Sequence, residues 1–199
     1  MNQKKSQAAF FPLGVFLFPG EESFLHIFEE RYKQLIEEIA QTGEQFVIPF
    51  VMDNEMTDLG TKVFLKKILR QYPGGESDIK IECSDLVHIH EYELTTEGKP
   101  FPGGEYSQYT WEDALATEEL FLGFEALRNS GVSLKFPVMN EGGLMLSQVA
   151  QTVLTDAADK YEFAKLNIER KTSFLNYHIK QLMSLVKQEE KTFNNIYLN

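Results

Sequence analysis

His88 and His90 stand two apart in a run of alternating apolar and polar residues. On an extended strand successive side chains face opposite ways, so these two imidazoles share a face and form a candidate metal pair. Glu82 falls on the same face and is the third ligand such a site would recruit. Its spacing from the histidines suits a shared ion poorly, so a solvated strand face is the preferred reading and no metal is expected. Cys83 beside a histidine could be a thiol nucleophile. It falls on the opposite face with Ile81, which marks it as a small core residue. Glu29 and Glu30 could act as general acid and base. They lie in the first turn of a predicted helix, where carboxylates complement the dipole, and nothing nearby completes a catalytic constellation. No catalytic residue is assigned.

The tract PFPGGEYSQYTW, residues 100–111, offers a different chemistry. Phe101, Tyr106, Tyr109 and Trp111 lie near the point where β-like text gives way to helical text. Aromatic side chains so placed can anchor a bound peptide, and these four are the candidate peptide-binding residues. For Trp111, packing the two halves together is the stronger of the two readings. The last helical stretch carries Arg170, Lys171, Lys180, Lys187 and Lys191 against Glu169, Glu189 and Glu190. A solvated face is its default reading, and an RNA or partner surface the sharper one.

The elements that hold these residues follow from periodicity. Residues 13–18 form an apolar run before Pro19-Gly20 and read as a buried strand. Residues 27–41 carry Phe28, Tyr32, Leu35, Ile36 and Ile39 at helical spacing, with Gly43 as a stop. Residues 46–52, 59–72 and 77–94 read as strands. Lys66-Lys67 breaks the alternation of the second, which predicts a bulge, and Pro73-Gly74-Gly75 predicts a hairpin between the second and third. A last strand is expected over residues 105–114. Helices are expected from Glu118, at MLSQVAQTVL, at AADKYEFAKLN and from Ile168 past Lys191. The chain therefore reads as α+β, with a β-rich part over residues 1–114 and a helical part over 115–199.

Bulk properties narrow the function classes. A chain of 199 residues can bury roughly 70% of its unfolded surface, so its core needs no staple. A net charge of −11 argues against general nucleic-acid binding. With a single cysteine no intramolecular disulfide can form. The apolar run QAAFFPLGVFLFPG behind Lys4-Lys5 resembles a secretory signal, but Pro12 and Gly14 interrupt it and Ala8-Ala9 precede it, so a strand is preferred. No Gly-x-x-x-x-Gly-Lys-Ser/Thr phosphate loop occurs.

FPLGVFLFPGEESFLHIFEERYKQLIEE resembles the opening of the Lon protease N-terminal, substrate-binding domain. Phe18-Pro19-Gly20 matches the family's turn, after which the family has a short strand, and Ile27-Phe28-Glu29-Glu30-Arg31-Tyr32 matches its helix start. Leu59-Gly60-Thr61 is similar to its Gly-Thr strand opening. Ser147-Gln148-Val149-Ala150, Ala158-Asp159-Lys160 and the Leu-rich last helix are similar to its helical part. The family carries a Gly and an Arg where this chain reads Cys83-Ser84-Asp85-Leu86-Val87, a departure that puts the local turn and any role of that Arg in question.

The resemblance implies a PUA-like β-barrel-type sheet with one packed helix, followed by a helical bundle. It implies a non-catalytic module, a stand-alone relative without ATPase or peptidase, that captures unfolded or extended polypeptide in a groove or on a strand edge. A role as adaptor or regulator of protein turnover, and a Lon-type protease as partner, follow by analogy. An RNA-binding PUA-like module is the alternative. No cofactor and no membrane partner are expected. Residence in the cytoplasm is expected, because export would remove the first strand of the implied fold.

Overall fold

The structure is a computed structural model that describes residues 4–95, 98–137 and 142–197, with side chains up to residue 188. It divides into two compact units, Met1–Trp111 and Glu112–Asn199.

The first unit is one curled antiparallel sheet with a helix on it. Its strands are β1 (Ser6–Ala9), β2 (Glu22–Ile27), β3 (Phe46–Met52), β4 (Glu55–Gln71), β5 (Ser77–Glu93) and β6 (Gly103–Gln108). The order across the sheet is β1-β6-β5-β4-β3, and β2 pairs with β5 off this path. β4 lines one edge of β5 along most of its length. On the other edge, β2 pairs with residues 77–82 and β6 with residues 87–93. Past β1 the chain meets β3 through the parallel bridges Phe10↔Val47 and Leu13↔Phe50, which curl the sheet toward closure. A β-bulge accompanies this curvature between Leu65 and Lys67, at the Lys66-Lys67 disruption of the sequence pattern, and another between Ile68 and Arg70.

The opening run is buried but is not the strand expected over residues 13–18. Phe16, Phe18 and Leu17 are sealed in the interior. The strand itself is β1, upstream. Pro12 has no N–H to give a ladder, and a turn closed by the Glu21 N–H donating to the Phe18 carbonyl at 2.9 Å ends the run.

The helix α1 (Glu30–Thr42) begins three residues later than its periodicity suggests. Ile27 is instead the buried last residue of β2, and Phe28 is 61% exposed, outside the apolar stripe. That stripe is Tyr32, Leu35, Ile36 and Ile39. It packs on Leu17, Ile27, Phe46, Ile48, Val63, Ile79 and Ile81 to form the main core. Gly43 ends the helix in the left-handed region at φ 71°, its N–H donating to the Ile39 carbonyl. Lys33 ties the first turn to the β4–β5 hairpin, donating to the Gly74 carbonyl at 2.9 Å.

The expected strand over residues 105–114 is shorter: β6 stops at Gln108. The second unit holds α2 (Glu118–Asn129), α3 (Leu146–Val153), α4 (Ala157–Lys165) and α5 (Ile168–Tyr197). Thr117 caps α2 by accepting from the Leu120 N–H at 3.3 Å. α5 packs against α2 and α3. Its stripe, Leu175, Ile179, Leu182 and Val186, runs from buried to half-buried.

Candidate functional site

The histidine pair sits on β5 with ring centroids 6.4 Å apart. His90 hydrogen-bonds the Ser107 hydroxyl through Nε2 at 2.8 Å, and His88 meets the Tyr109 ring edge-on at 4.8 Å. Glu82 is engaged by Lys66 at 2.6 Å. Among the described residues, no group of three or more His, Cys, Asp or Glu is placed to hold a metal ion. Cys83 is buried, its thiol donating to the Asp85 carbonyl at 3.4 Å, and burial pushes its pKa far above the usual thiol range. Glu29 pairs with Arg31 at 2.9 Å and Glu30 with Lys33 at 2.8 Å.

The four aromatic candidates do not share one surface role. Phe101 is 4% exposed and belongs to the main core, with the Lys99 ammonium over its ring. Tyr106 is half-buried against the Phe10, Val47 and Val87 cluster, with the Lys62 ammonium 5.8 Å from its ring centre. Tyr109 and Trp111 are partly exposed. Trp111 stacks on Phe18 within its own unit, centroids 5.1 Å apart and planes 12° from parallel. Tyr106, Tyr109 and Trp111 therefore keep part of their surface open, whereas Phe101 is spent on the core.

The basic set on α5 also separates. Lys171 is 1% exposed and donates from Nζ to the Glu112 carbonyl, so it offers nothing to a phosphate. Arg170, Lys180 and Lys187 are exposed, and the side chains of Lys191, Glu189 and Glu190 lie outside the described residues.

Sequence reasoning missed an open aromatic surface on the first unit. Phe24 on β2 is 66% exposed, and Phe28 just past the strand end is 61% exposed. The register places Phe24 opposite Lys80, His26 opposite Asp78 and Glu22 opposite Glu82 on the outward face. Lys80 lies 5.8 Å over the Phe24 ring and bonds Glu22 at 2.7 Å. His26 stacks with Phe28 at 6.1 Å and hydrogen-bonds Asp78 at 2.6 Å. The Tyr72 hydroxyl donates to the second Asp78 oxygen at 2.7 Å, and these two bonds hold that carboxyl below its ordinary pKa. The inward face of β2 sets Ser23 against Ile81 and Leu25 against Ile79. The signal that could have found this surface is the sequence EESFLHIFEE, an apolar segment bracketed by two pairs of glutamates.

A second concave feature, a cavity of about 540 Å³, runs between α1 and β4. Ile36, Ala40 and Ile68 line it with Lys33, Gln34 and Gln71.

Residues 7–194 match the family described as the ATP-dependent protease La (LON) substrate-binding domain. The chain belongs to that family. The match takes in both units and bears out the resemblance seen in the Phe18-Pro19-Gly20 turn and at the start of α1. Among solved structures, the chain is similar to a Lon N-terminal domain protein from Xanthomonas campestris, at 16% identity and a TM-score of 0.60, covering 90% of this chain and 98% of that one. This likeness supports the α+β fold of a Lon N-terminal domain. The N-terminal domain of the Mycobacterium avium complex Lon protease aligns at 12% identity and a TM-score of 0.49, over 92% of this chain and 98% of that one. No curated protein matches the sequence.

Proposed function

We propose that this Lon substrate-binding domain acts without catalysis of its own, as a polypeptide-recognition module that serves as an adaptor or regulator in protein turnover in the cytoplasm. The observation that carries the reading is a family match spanning residues 7–194, joined to an exposed aromatic surface on the β unit. Large apolar side chains held in the open by a rigid sheet mark interaction surfaces. The sequence has no phosphate loop of the Gly-x-x-x-x-Gly-Lys-Ser/Thr type. Unfolded or extended polypeptide is the ligand class, and a Lon-type protease the partner to which captured chains would pass. Tyr106, Tyr109 and Trp111 remain candidate contacts.

Calorimetric titration with unfolded model polypeptides tests the reading. Binding in the micromolar range is expected, with no ATP hydrolysis and no casein cleavage by the isolated chain. Absence of binding at tens of micromolar, or measured proteolysis, overturns it.

A further inference from the structure

We propose that the outer edge of β2 is the polypeptide-binding edge, and that it takes an extended segment of apolar residues flanked by Lys or Arg as an added strand of the sheet. This inference rests on the polypeptide-binding reading above and assigns it a place and a sequence preference. β1 and β3 end the strand order and approach each other through the bridges at Phe10 and Leu13; besides these, the residue 64–71 half of β4 and the outer side of β2 lack a neighbouring strand among the described residues.

They are built differently. β4 carries two bulges and Lys66, Lys67 and Arg70 along this half, the devices by which exposed edges avoid pairing. β2 pairs with β5 in unbroken register from Glu22 to Ile27. It has no proline and no lysine. Residues 23–27 make no backbone hydrogen bond on the side away from β5 among the described residues. Such an edge is a template for main-chain pairing.

The side chains along this edge define the segment. A strand added beside β2 sets alternate residues against Leu25 on the inward face and Phe24 on the outward face. Both positions reward apolar side chains, so the segment is apolar on both faces, like a strand from the interior of an unfolded protein. The usable edge is about five residues, or roughly 17 Å at ~3.3 Å per residue.

Charge selects the flanks. Glu21-Glu22 precede the edge and Glu29-Glu30 follow Phe28, so both ends are acidic in a chain of net charge −11. Lys80 pairs with Glu22 and Arg31 with Glu29, Lys33 is divided between Glu30 and Glu76, and Glu21 accepts from the Phe18 N–H, so in these contacts the four carboxylates meet three cations, one of them shared with a fifth carboxylate. A segment with basic flanks meets these carboxylates favourably, and one with acidic flanks is repelled. The same bracket disfavours a second copy as occupant. Antiparallel self-pairing over the whole edge brings the Glu21-Glu22 end of one copy to the Glu29-Glu30 end of the other.

The test uses the full chain and three labelled peptides read by fluorescence anisotropy. One has a Val/Phe core of about five residues between paired lysines, one the same core between paired glutamates, and one the lysine-flanked core with a central proline. The lysine-flanked peptide is expected to bind about tenfold or more tightly than either of the others, and to slow hydrogen exchange at the amides of residues 23–27. Phe24→Asp, at a position 66% exposed and so tolerable to the fold, is expected to abolish binding. Tyr177→Asp, 59% exposed on α5, is expected to leave it unchanged. Binding that survives Phe24→Asp, or protection that falls elsewhere, overturns the edge assignment while the polypeptide-binding reading stands. A peptide-independent dimer that Phe24→Asp dissociates overturns it in favour of self-pairing. A chain that binds neither these peptides nor unfolded protein removes the polypeptide-binding reading itself.

Discussion

Replacing Gly104 by alanine should break the crossing of β1, β6 and β5. Gly104 pairs with Ala8 on one side and Tyr92 on the other, at the point where Phe10 leaves β1. A Cβ built there would lie 2.0 Å from the Glu91 carbonyl oxygen and 2.6 Å from Phe10 Cε2. A carbon and a carbonyl oxygen come no closer than about 3.3 Å in ordinary sheet contacts, so the new methyl is roughly 1.3 Å too near. The obstacle is backbone, which cannot rotate away, and Phe10 is fully buried. The cost belongs at the top of the overpacking range, about 3 kcal/mol. In a chain of this size that lowers the melting temperature by about 6–12 °C. Urea denaturation followed by tryptophan fluorescence measures it directly, since Trp111 is the only tryptophan. Gly14→Ala is the control: its Cβ would meet only the Val51 carbonyl at 3.6 Å, an ordinary contact, and its cost should stay within about 0.5 kcal/mol. A loss below about 1 kcal/mol for Gly104→Ala, or equal losses for the two, refutes the argument that this crossing is set by backbone clearance.

Asp78→Asn should remove a pH-dependent contribution to stability. The carboxyl is held below its ordinary pKa by His26 and Tyr72, so its contribution is present above about pH 4 and is lost as the pH falls through the native value. Urea midpoints of the two proteins should therefore converge in acid and separate toward neutrality; a constant gap speaks against the assignment. The Cys83 thiol, buried and pushed up in pKa, should react with a disulfide reagent at least about tenfold more slowly in the native chain than in guanidinium, which a colorimetric time course reads. Lys171→Glu should cost about 3–5 kcal/mol, because it sets a carboxylate against the Glu112 carbonyl in a buried place, whereas Lys171→Met should change stability by less than about 1.5 kcal/mol; circular dichroism melts separate the two.

The sequence announced those elements whose pattern is local. β3 has the bounds its apolar run suggests, and β5 ends within one residue of its alternation. The Lys66-Lys67 step marked a bulge because a regular strand would turn one of two successive lysines inward. Thr117 marked the start of α2 by its capping chemistry. β2 was illegible to periodicity for the opposite reason, and only the family resemblance, with its short strand after the Phe-Pro-Gly turn, implied it. Its apolar residues fit a helical period when Tyr32, Leu35 and Ile36 are counted with them, and its true partner, β5, is paired to it across 50 residues at Ile27↔Ser77 and 60 at Glu22↔Glu82. The strand exists because pairing with residues 77–82 buries Ile27 and half-buries Leu25, a tertiary gain that no window on residues 20–41 contains. Phe101 misled in the same way. Its neighbours Tyr106, Tyr109 and Trp111 are half-open, but the glycines at 103 and 104 let the chain approach β5 closely and draw Phe101 into the core.

The two strand edges make one argument about how a small sheet can offer a chain-binding surface without uncontrolled aggregation. Both edges flank the same stretch of β5, so both are exposed to the same solvent and the same risk. On β4 the risk is suppressed by bulges and lysines, and a cavity of mixed polar and apolar lining lies between this strand and α1. On β2 the geometry is regular and the guard is moved outward, to Glu21-Glu22 and Glu29-Glu30 at the two ends. A guard at the ends is selective where a guard along the edge is absolute. It repels a second copy of the same acidic strand, yet admits an apolar segment carrying the opposite charge at its flanks. That distinction gives exposed Phe24 and Phe28 a physical reason to remain uncovered on the surface of the β unit.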